Sequence, residues 1–163
     1  MNTPAESSLR VYADWCVDPG VLPGLRRLFS YAQGDDRATG YLYTEGDQDW
    51  PASFADVGST LLTNLECLLG VRFTIVAFQA YRDGAGCDWH DDSAFDEQAV
   101  LSLGVTRTFG IRRPSEGPQW TSVAHGDLVY MPSGFQTAWQ HCVPVEDVAG
   151  ERCSLVFRTV AKG

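Results

Sequence analysis

Three histidines occur in the 163-residue chain: His90, His125 and His141. His90 belongs to Trp89-His90-Asp91-Asp92, and its two-residue step to Asp92 predicts an imidazole and a carboxylate on the same side of an extended strand. Such a pair holds one side of a metal ion, so a third ligand must arrive from a distant part of the chain. His141 lies 51 positions beyond His90. Two imidazoles and one carboxylate on a single face form the facial triad of non-haem Fe(II) oxygenases, which leaves coordination positions open for other ligands. A surface His-Asp pair is the competing reading of His90 and Asp92.

The segment Arg152-Cys153-Ser154-Leu155-Val156-Phe157-Arg158 reads as a strand. Its alternation puts Arg152, Ser154, Val156 and Arg158 on one face and Cys153, Leu155 and Phe157 on the other. Two guanidiniums turned to an interior without counter-charge cost several kcal/mol each, by order of magnitude. A bound dicarboxylate such as 2-oxoglutarate supplies the missing anions through bidentate hydrogen bonds. Structural Arg–Asp or Arg–Glu pairs are the alternative. Phe73, Ile75, Ala77, Gln79 and Tyr81 share one side of an earlier strand, so Gln79 and Tyr81 reach toward one ligand carboxylate together. A sheet-edge Gln and a core Tyr are their plainer readings.

The elements that must position these groups fall into a helical front and a strand-rich back. Asp18-Pro19-Gly20 opens a stretch with Val21, Leu22, Leu25, Leu28 and Phe29 at helical spacing, expected to close near Gly34 with Asp18 as cap. Pro51 opens a second helix whose Phe54, Val57, Leu61, Leu65 and Leu68 form one stripe ending at Gly70. Between them, Gly34 to Asp49 is polar and turn-rich apart from Tyr41 and Tyr43. Arg72–Tyr81, Ala99–Leu103, Arg107–Arg113, Asp127–Met131 and Arg152–Val160 are β-rich runs, and Arg112 to Pro118 reads as a hairpin or loop. The expectation is an α+β chain, an antiparallel sandwich or barrel with two N-terminal helices on one outer face.

Composition narrows the function. At 44% apolar and 20% charged residues the chain is an ordinary globular one of about one domain's length. No apolar stretch approaches a membrane span, and the polar Met1 to Arg10 lacks the apolar core of a secretory signal. Twelve basic against 21 acidic residues give a net charge of −9, which argues against a generic nucleic-acid binder but leaves room for a local basic groove. Five scattered cysteines without a C-x-x-C argue against a disulfide framework or structural zinc and fit reduced thiols in a cytoplasmic enzyme.

From about Tyr41 to Val160 the chain resembles the AlkB-like Fe(II)/2-oxoglutarate dioxygenases. The matching stretches are Tyr81-Arg82-Asp83-Gly84, Trp89-His90-Asp91-Asp92, Leu101-Ser102-Leu103-Gly104 with Arg107-Thr108-Phe109, and His125-Gly126-Asp127-Leu128-Val129-Tyr130-Met131. Trp139-Gln140-His141-Cys142-Val143-Pro144 and Arg152 through Arg158 follow in order. The resemblance implies a double-stranded β-helix (jelly-roll or cupin-like) and a single domain over residues 1–163, with a helical front over about 18–70 and a core over about 72–160. It implies Fe(II) held by His90, Asp92 and His141, with 2-oxoglutarate and O2 as cosubstrates. Arg152, helped by Tyr81, then pairs with the distal carboxylate, and Arg158 sits near the C1 carboxylate and Asp92. His125 is structural on this reading.

The chain departs from the family pattern at Gln79, where an Asn is usual, and at Ser154 and Val156. Only Gly34 to Gly40 separates the first helix from Tyr41-Leu42-Tyr43, so the nucleotide-recognition lid is reduced or absent. Oxidative dealkylation of an N-alkylated nucleobase leads the substrate readings, with Tyr41, Tyr43, Trp89 and Trp139 as stacking surfaces. Hydroxylation of a small molecule, a free nucleoside or a protein side chain stands close behind, favoured by the short lid and the −9 charge. A cupin-like binding domain without oxygen chemistry is the third, and it leaves Arg152 and Arg158 without a purpose. The oligomeric state stays open.

Overall fold

The structure, a computed structural model, describes residues 8–162; most of the polar Met1 to Arg10 stretch lies outside these residues. Ten strands and three helices follow in the order β1 (Arg10–Tyr12), α1 (Val21–Arg26), β2 (Arg37–Thr44), α2 (Ala55–Leu69), β3 (Ile75–Arg82), β4 (Cys87–His90), β5 (Phe95–Gly104), β6 (Arg107–Arg112), β7 (Gln119–Val123), β8 (Leu128–Met131), α3 (Phe135–Ala138), β9 (Gln140–Val143) and β10 (Glu151–Val160). The strands form a six-stranded sheet, β1-β8-β5-β10-β3-β2, and a four-stranded sheet, β4-β9-β6-β7, with antiparallel pairing throughout. This is the double-stranded β-helix architecture.

Alternation along β10 sorts the core into two layers. Cys153, Leu155 and Phe157 face outward with Phe78, Ala80, Leu101 and Leu103, and this layer packs against Val21 and Leu25 of α1 and Leu61 and Leu65 of α2. Val156 faces inward with Val100, Phe109, Ile111, Val129, Met131 and Val143, which fill the space toward the smaller sheet. The register Arg152↔Gly104, Ser154↔Ser102, Val156↔Val100 and Arg158↔Gln98 aligns the inner faces of β10 and β5. A one-residue slip would turn every polar group of β10 into the helix layer, so the pattern of apolar residues fixes the register.

Three sequence expectations are corrected. The first helix covers only Val21–Arg26, without a side-chain cap; Asp18 instead accepts the Gly20 amide at 2.8 Å. Pro23 and Gly24 are poor helix residues in so short a segment, and Leu28 and Phe29 reach the core from the following loop. The stretch expected to be turn-rich contains the edge strand β2, paired with β3; pairing to a neighbour, not local propensity, makes it a strand. Finally, β4 ends at His90, so Asp92 lies beyond the strand, where its amide is held by Gln136 Oε1 at 3.0 Å. His90 and Asp92 converge through a turn rather than along one strand face.

One partly buried ion pair ties the ends of the smaller sheet together. The Arg107 side chain is 1% exposed; its Nε donates to Glu146 Oε2 at 2.7 Å, and Nη2 donates to the carbonyls of Gly84 and Pro144. Gly84 has φ +77°, and a Cβ there would overlap the Glu146 carbonyl oxygen, so this approach requires glycine. Burial alone would raise the Glu146 carboxyl, but hydrogen bonds from Thr108 and Arg107 outweigh it and hold the group below its usual range. Glu146→Ala leaves the guanidinium buried and unpaired; the expected destabilisation is about 3 kcal/mol by chemical denaturation. Because the carboxyl is depressed in the folded state, its contribution is complete above the unfolded pKa and fades as pH falls below it. The difference between wild type and variant therefore narrows in acid.

Candidate active site

Between the two sheets, one cavity is lined by Gln79, Tyr81, Cys87, His90, Asp92, Gln98, Phe109, His141, Arg152 and Arg158, with Val100, Met131, Val143 and Val156 as its apolar walls. Cross-strand pairing of β4 with β9 sets His90 opposite His141. The Nε2 atoms of His141 and His90 lie 3.3 and 3.9 Å from Asp92 Oδ2, and the three ligand atoms fall within 4.8 Å of one another. Ligands bound at ~2.1 Å and at right angles stand ~3 Å apart. Small side-chain shifts therefore fit these three groups to one ion.

The surrounding groups prepare each ligand atom. His90 Nδ1 faces the Asp88 carbonyl at 2.7 Å, which leaves Nε2 for a metal. His141 is buried, and Phe109 stacks on it at 5.8 Å and 18°. Its Nδ1 has no hydrogen-bond partner among the described residues, so packing rather than an acceptor orients that ring. Burial pushes the His141 imidazole down, toward the neutral form a metal needs. Burial would raise the Asp92 carboxyl, but hydrogen bonds from His141 and Gln98 and the nearby Arg158 charge keep it ionised, well below the usual carboxylate range.

His90 differs. The Cys87 thiol, 3.6 Å from Nδ1, raises its pKa to about 9, against an opposing contribution from burial and with help from the Asp88 carbonyl. In the metal-free protein His90 therefore carries a proton below that pH, and a metal must displace it. Titrating a divalent ion into weakly buffered protein at neutral pH is expected to release about one proton, with affinity rising toward pH 9. Binding that is independent of pH between 6 and 9 would contradict this.

Behind the triad stand the two guanidiniums. Arg152 is 2% exposed; its Nε donates to Ser102 Oγ at 3.1 Å and its charge lies 5.6 Å from the centre of the Tyr81 ring. Tyr81 donates its hydroxyl to Gln79 Oε1 at 2.8 Å, and burial raises its pKa. Among the described residues no carboxylate is paired with Arg152, and burial lowers its pKa. Gln98 links the second guanidinium to the triad: its Nε2 donates to Asp92 Oδ2 at 2.9 Å while its Oε1 accepts from Arg158 Nε at 3.0 Å. The cavity thus offers three ligand atoms, a buried Arg152 without a paired carboxylate among the described residues, and a buried Arg158 joined to Asp92 through Gln98.

The four aromatic residues expected to stack on substrate do not meet in this cavity. Tyr41 is exposed and sits opposite Ala77, on the inner side of the larger sheet at its edge. Tyr43 follows a bulge and stacks on Trp50 at 5.1 Å in the helix layer. Trp139 is buried against Phe135 at 5.7 Å. Trp89 lies against Trp120. His125 accepts the Gly104 amide at 2.9 Å through Nδ1, a turn-holding role away from the triad. Sequence reasoning missed Gln98, Ser102, Cys87 and Phe109; the even-numbered positions of β5 share the parity that placed Arg152 and Arg158 inward, and that signal pointed to Gln98 and Ser102.

Comparison with known proteins follows the same lines. A family model described as the 2OG-Fe(II) oxygenase superfamily matches residues 24–158. The chain is similar to alpha-ketoglutarate-dependent dioxygenase alkB homolog 3 of Rattus norvegicus, 36% identical over 121 positions covering 62% of this chain and 40% of that protein. The Homo sapiens protein of that name is also 36% identical over 121 positions, covering 62% of this chain and 41% of its own. The chain therefore spans about two-fifths of the length of the curated relatives it matches. Among solved structures, a 2OG-Fe(II) oxygenase family oxidoreductase from Burkholderia pseudomallei aligns with a TM-score of 0.69 at 15% identity, over 94% of this chain and 84% of that one. The structure of OsALKBH1 aligns at 0.64 and 14% identity, over 93% and 97% of the two chains. A Pseudomonas putida prolyl-4-hydroxylase aligns at 0.62 and 17% identity, over 98% and 95%. At these identities the structural likeness shows the fold.

Proposed function

The chain belongs to the 2OG-Fe(II) oxygenase superfamily and is a 2-oxoglutarate- and Fe(II)-dependent dioxygenase; from that premise we propose that it oxidatively dealkylates an N-alkylated nucleobase. Membership removes the reading as a cupin-like binding domain without oxygen chemistry. On our reading residues 1–163 act as one catalytic domain whose nucleotide-recognition lid is reduced. His90, Asp92 and His141 are its metal ligands, Arg152 with Tyr81 and Gln79 receives the distal carboxylate of 2-oxoglutarate, and Arg158 lies beside the other carboxylate.

Fe(II), 2-oxoglutarate and O2 together supply the oxidation of a substrate C–H bond, with release of succinate and CO2. The protein's own residues hold and aim the reactants. Gln98 fixes Asp92 Oδ2 and keeps it from rotating away from the histidines. Phe109 holds the His141 ring, and Val100, Met131, Val143 and Val156 exclude water from the cavity. An N-alkyl group hydroxylated at its attached carbon leaves as an aldehyde, and the base nitrogen recovers its proton.

The observation that carries the cofactor assignment is the union in one cavity of a two-imidazole, one-carboxylate cluster with a buried Arg152 unmatched by any described carboxylate. The AlkB-like motifs and the 36% identity to alkB homolog 3 proteins support the nucleobase assignment. Hydroxylation of a small molecule, free nucleoside or protein side chain is favoured instead by the short connection between α1 and β2, only residues 27–36. Succinate and aldehyde release decide between them, measured across N-methylated single- and double-stranded DNA, methylated RNA, free methylated nucleosides and small-molecule extracts. We expect coupled succinate and formaldehyde from a methylated nucleic acid. Succinate without aldehyde, from a non-nucleotide substrate alone, would establish the second reading.

A further inference from the structure

The outer face of the smaller sheet carries a feature that the reaction itself does not use. Trp120 of β7 is 52% exposed, and its six-membered ring lies across Gly110 of β6, where a Cβ would approach to 2.5 Å. Gly110 and Trp120 are direct cross-strand partners, so the missing side chain creates the seat that keeps this indole flat on the sheet. Trp89 of β4 meets it at 5.5 Å and 52°, and is fixed from another side by the Arg112 guanidinium, 4.4 Å from its ring. Two hydrogen bonds to Gln140 Oε1, at 3.0 and 2.8 Å, immobilise Arg112 in turn. A large exposed aromatic held this rigidly has surrendered its rotamer freedom before any ligand arrives.

The two indoles border a groove of about 570 Å³ that also involves Arg37, Gly86, Cys87, Asp88 and Val145. Cys87, Cys142 and Val143 line both this groove and the catalytic cavity. The groove and the catalytic cavity are therefore adjoining spaces that share a wall. Arg37 marks the cavity end, 5.2 Å from the Tyr81 ring. A flat seat, a second tilted ring and a cation between seat and cavity suit a polymer of planar units joined by anions. Asp88 also lines the groove and disfavours a phosphate beside it, which leaves Arg37 as the charge that suits the backbone.

We propose that Trp120, braced by Gly110 and Trp89, is a specificity-determining residue that stacks the base next to the alkylated one in a single-stranded nucleic acid, with Arg37 on the intervening phosphate. The proposal rests on the nucleobase reading above. Base–aromatic stacking is indifferent to base identity, so this site selects for strand rather than sequence.

The test uses the full chain with Fe(II) and 2-oxoglutarate. Anaerobic binding of a labelled, unalkylated five-residue oligothymidylate is followed by anisotropy, and KM is measured for an N-methylated pentanucleotide and for the matching methylated nucleoside. W120A is expected to weaken oligothymidylate binding about tenfold and raise the pentanucleotide KM by a similar factor, with the nucleoside KM and all kcat values unchanged. W120F is expected to recover most of the loss. Absent oligothymidylate binding by wild type at low salt, or equal binding by W120A, overturns the proposal. If Trp120-dependent binding is seen but no methylated nucleotide is turned over, the groove stands and the nucleobase reading fails.

Discussion

Asp92→Ala is expected to abolish turnover, with a loss of at least about a thousandfold, and to lower ferrous-ion affinity by two orders of magnitude or more. Asp92 Oδ2 is the one atom that both histidines and Gln98 face, at 3.3, 3.9 and 2.9 Å. Without it two neutral imidazoles remain, and the ion's charge loses its only anionic ligand from the triad. The effect extends further, because Gln98 connects Asp92 to Arg158. Once its acceptor is lost, that amide is free to turn, and Arg158 loses the carboxylate it faces. Asp92→Asn separates the two contributions. It keeps an oxygen for Gln98 and should preserve the thermal transition, yet it removes the charge, so metal binding must still fall steeply. Metal retention near wild-type affinity in both variants, measured anaerobically by titration, would place the ion elsewhere.

Arg152→Met is expected to leave metal binding intact and to raise the KM for 2-oxoglutarate about a hundredfold or more. An Arg–carboxylate pair inside a desolvated cavity is a charge-assisted, bidentate interaction, and losing one partner costs several kcal/mol. The same variant carries a prediction of opposite sign for stability. Arg152 is buried, donates from Nε to Ser102 and has no carboxylate paired with it among the described residues. Methionine of similar length removes an uncompensated charge, so the cosubstrate-free variant should be more stable than wild type, by about 1–4 kcal/mol. Adding 2-oxoglutarate should then raise the Tm of wild type but not of the variant, since only a ligand that binds the folded state stabilises it. A variant that is both less stable and unaltered in KM would make Arg152 a structural residue.

The strands that carry the cavity were readable because their alternation is strong. Cys153, Leu155 and Phe157 pack on the helices as their spacing demands, and Arg152 and Arg158 face the other way. The end of α2 was equally clear, since its stripe is long and Gly70 closes it, whereas its start is Ala55 and not Pro51. The weak points share a cause. Strands β1, β2, β4, β7 and β9 are short, or at a sheet edge, and are defined by partners distant in sequence. Nothing local marks Gln119–Val123 as a strand, and the place of Trp120 follows only from its pairing with Gly110. Of the four aromatics expected at the substrate, Tyr43 and Trp139 are packed into the two cores, because a bulge in β2 turns the first and the end of α3 stacks the second on Phe135. Composition and spacing mark an aromatic residue as interesting, but only the sheet decides which side it takes.

The central claim is that one ferrous ion and one diacid share the space between the two sheets. Crystals grown anaerobically with Mn(II) and 2-oxoglutarate test it directly by anomalous diffraction. The account predicts a single strong peak between the Nε2 atoms of His90 and His141 and the Asp92 carboxylate, with the diacid's far end on the Arg152 guanidinium. A peak away from those three side chains, or a diacid that leaves Arg152 unpaired, would contradict it.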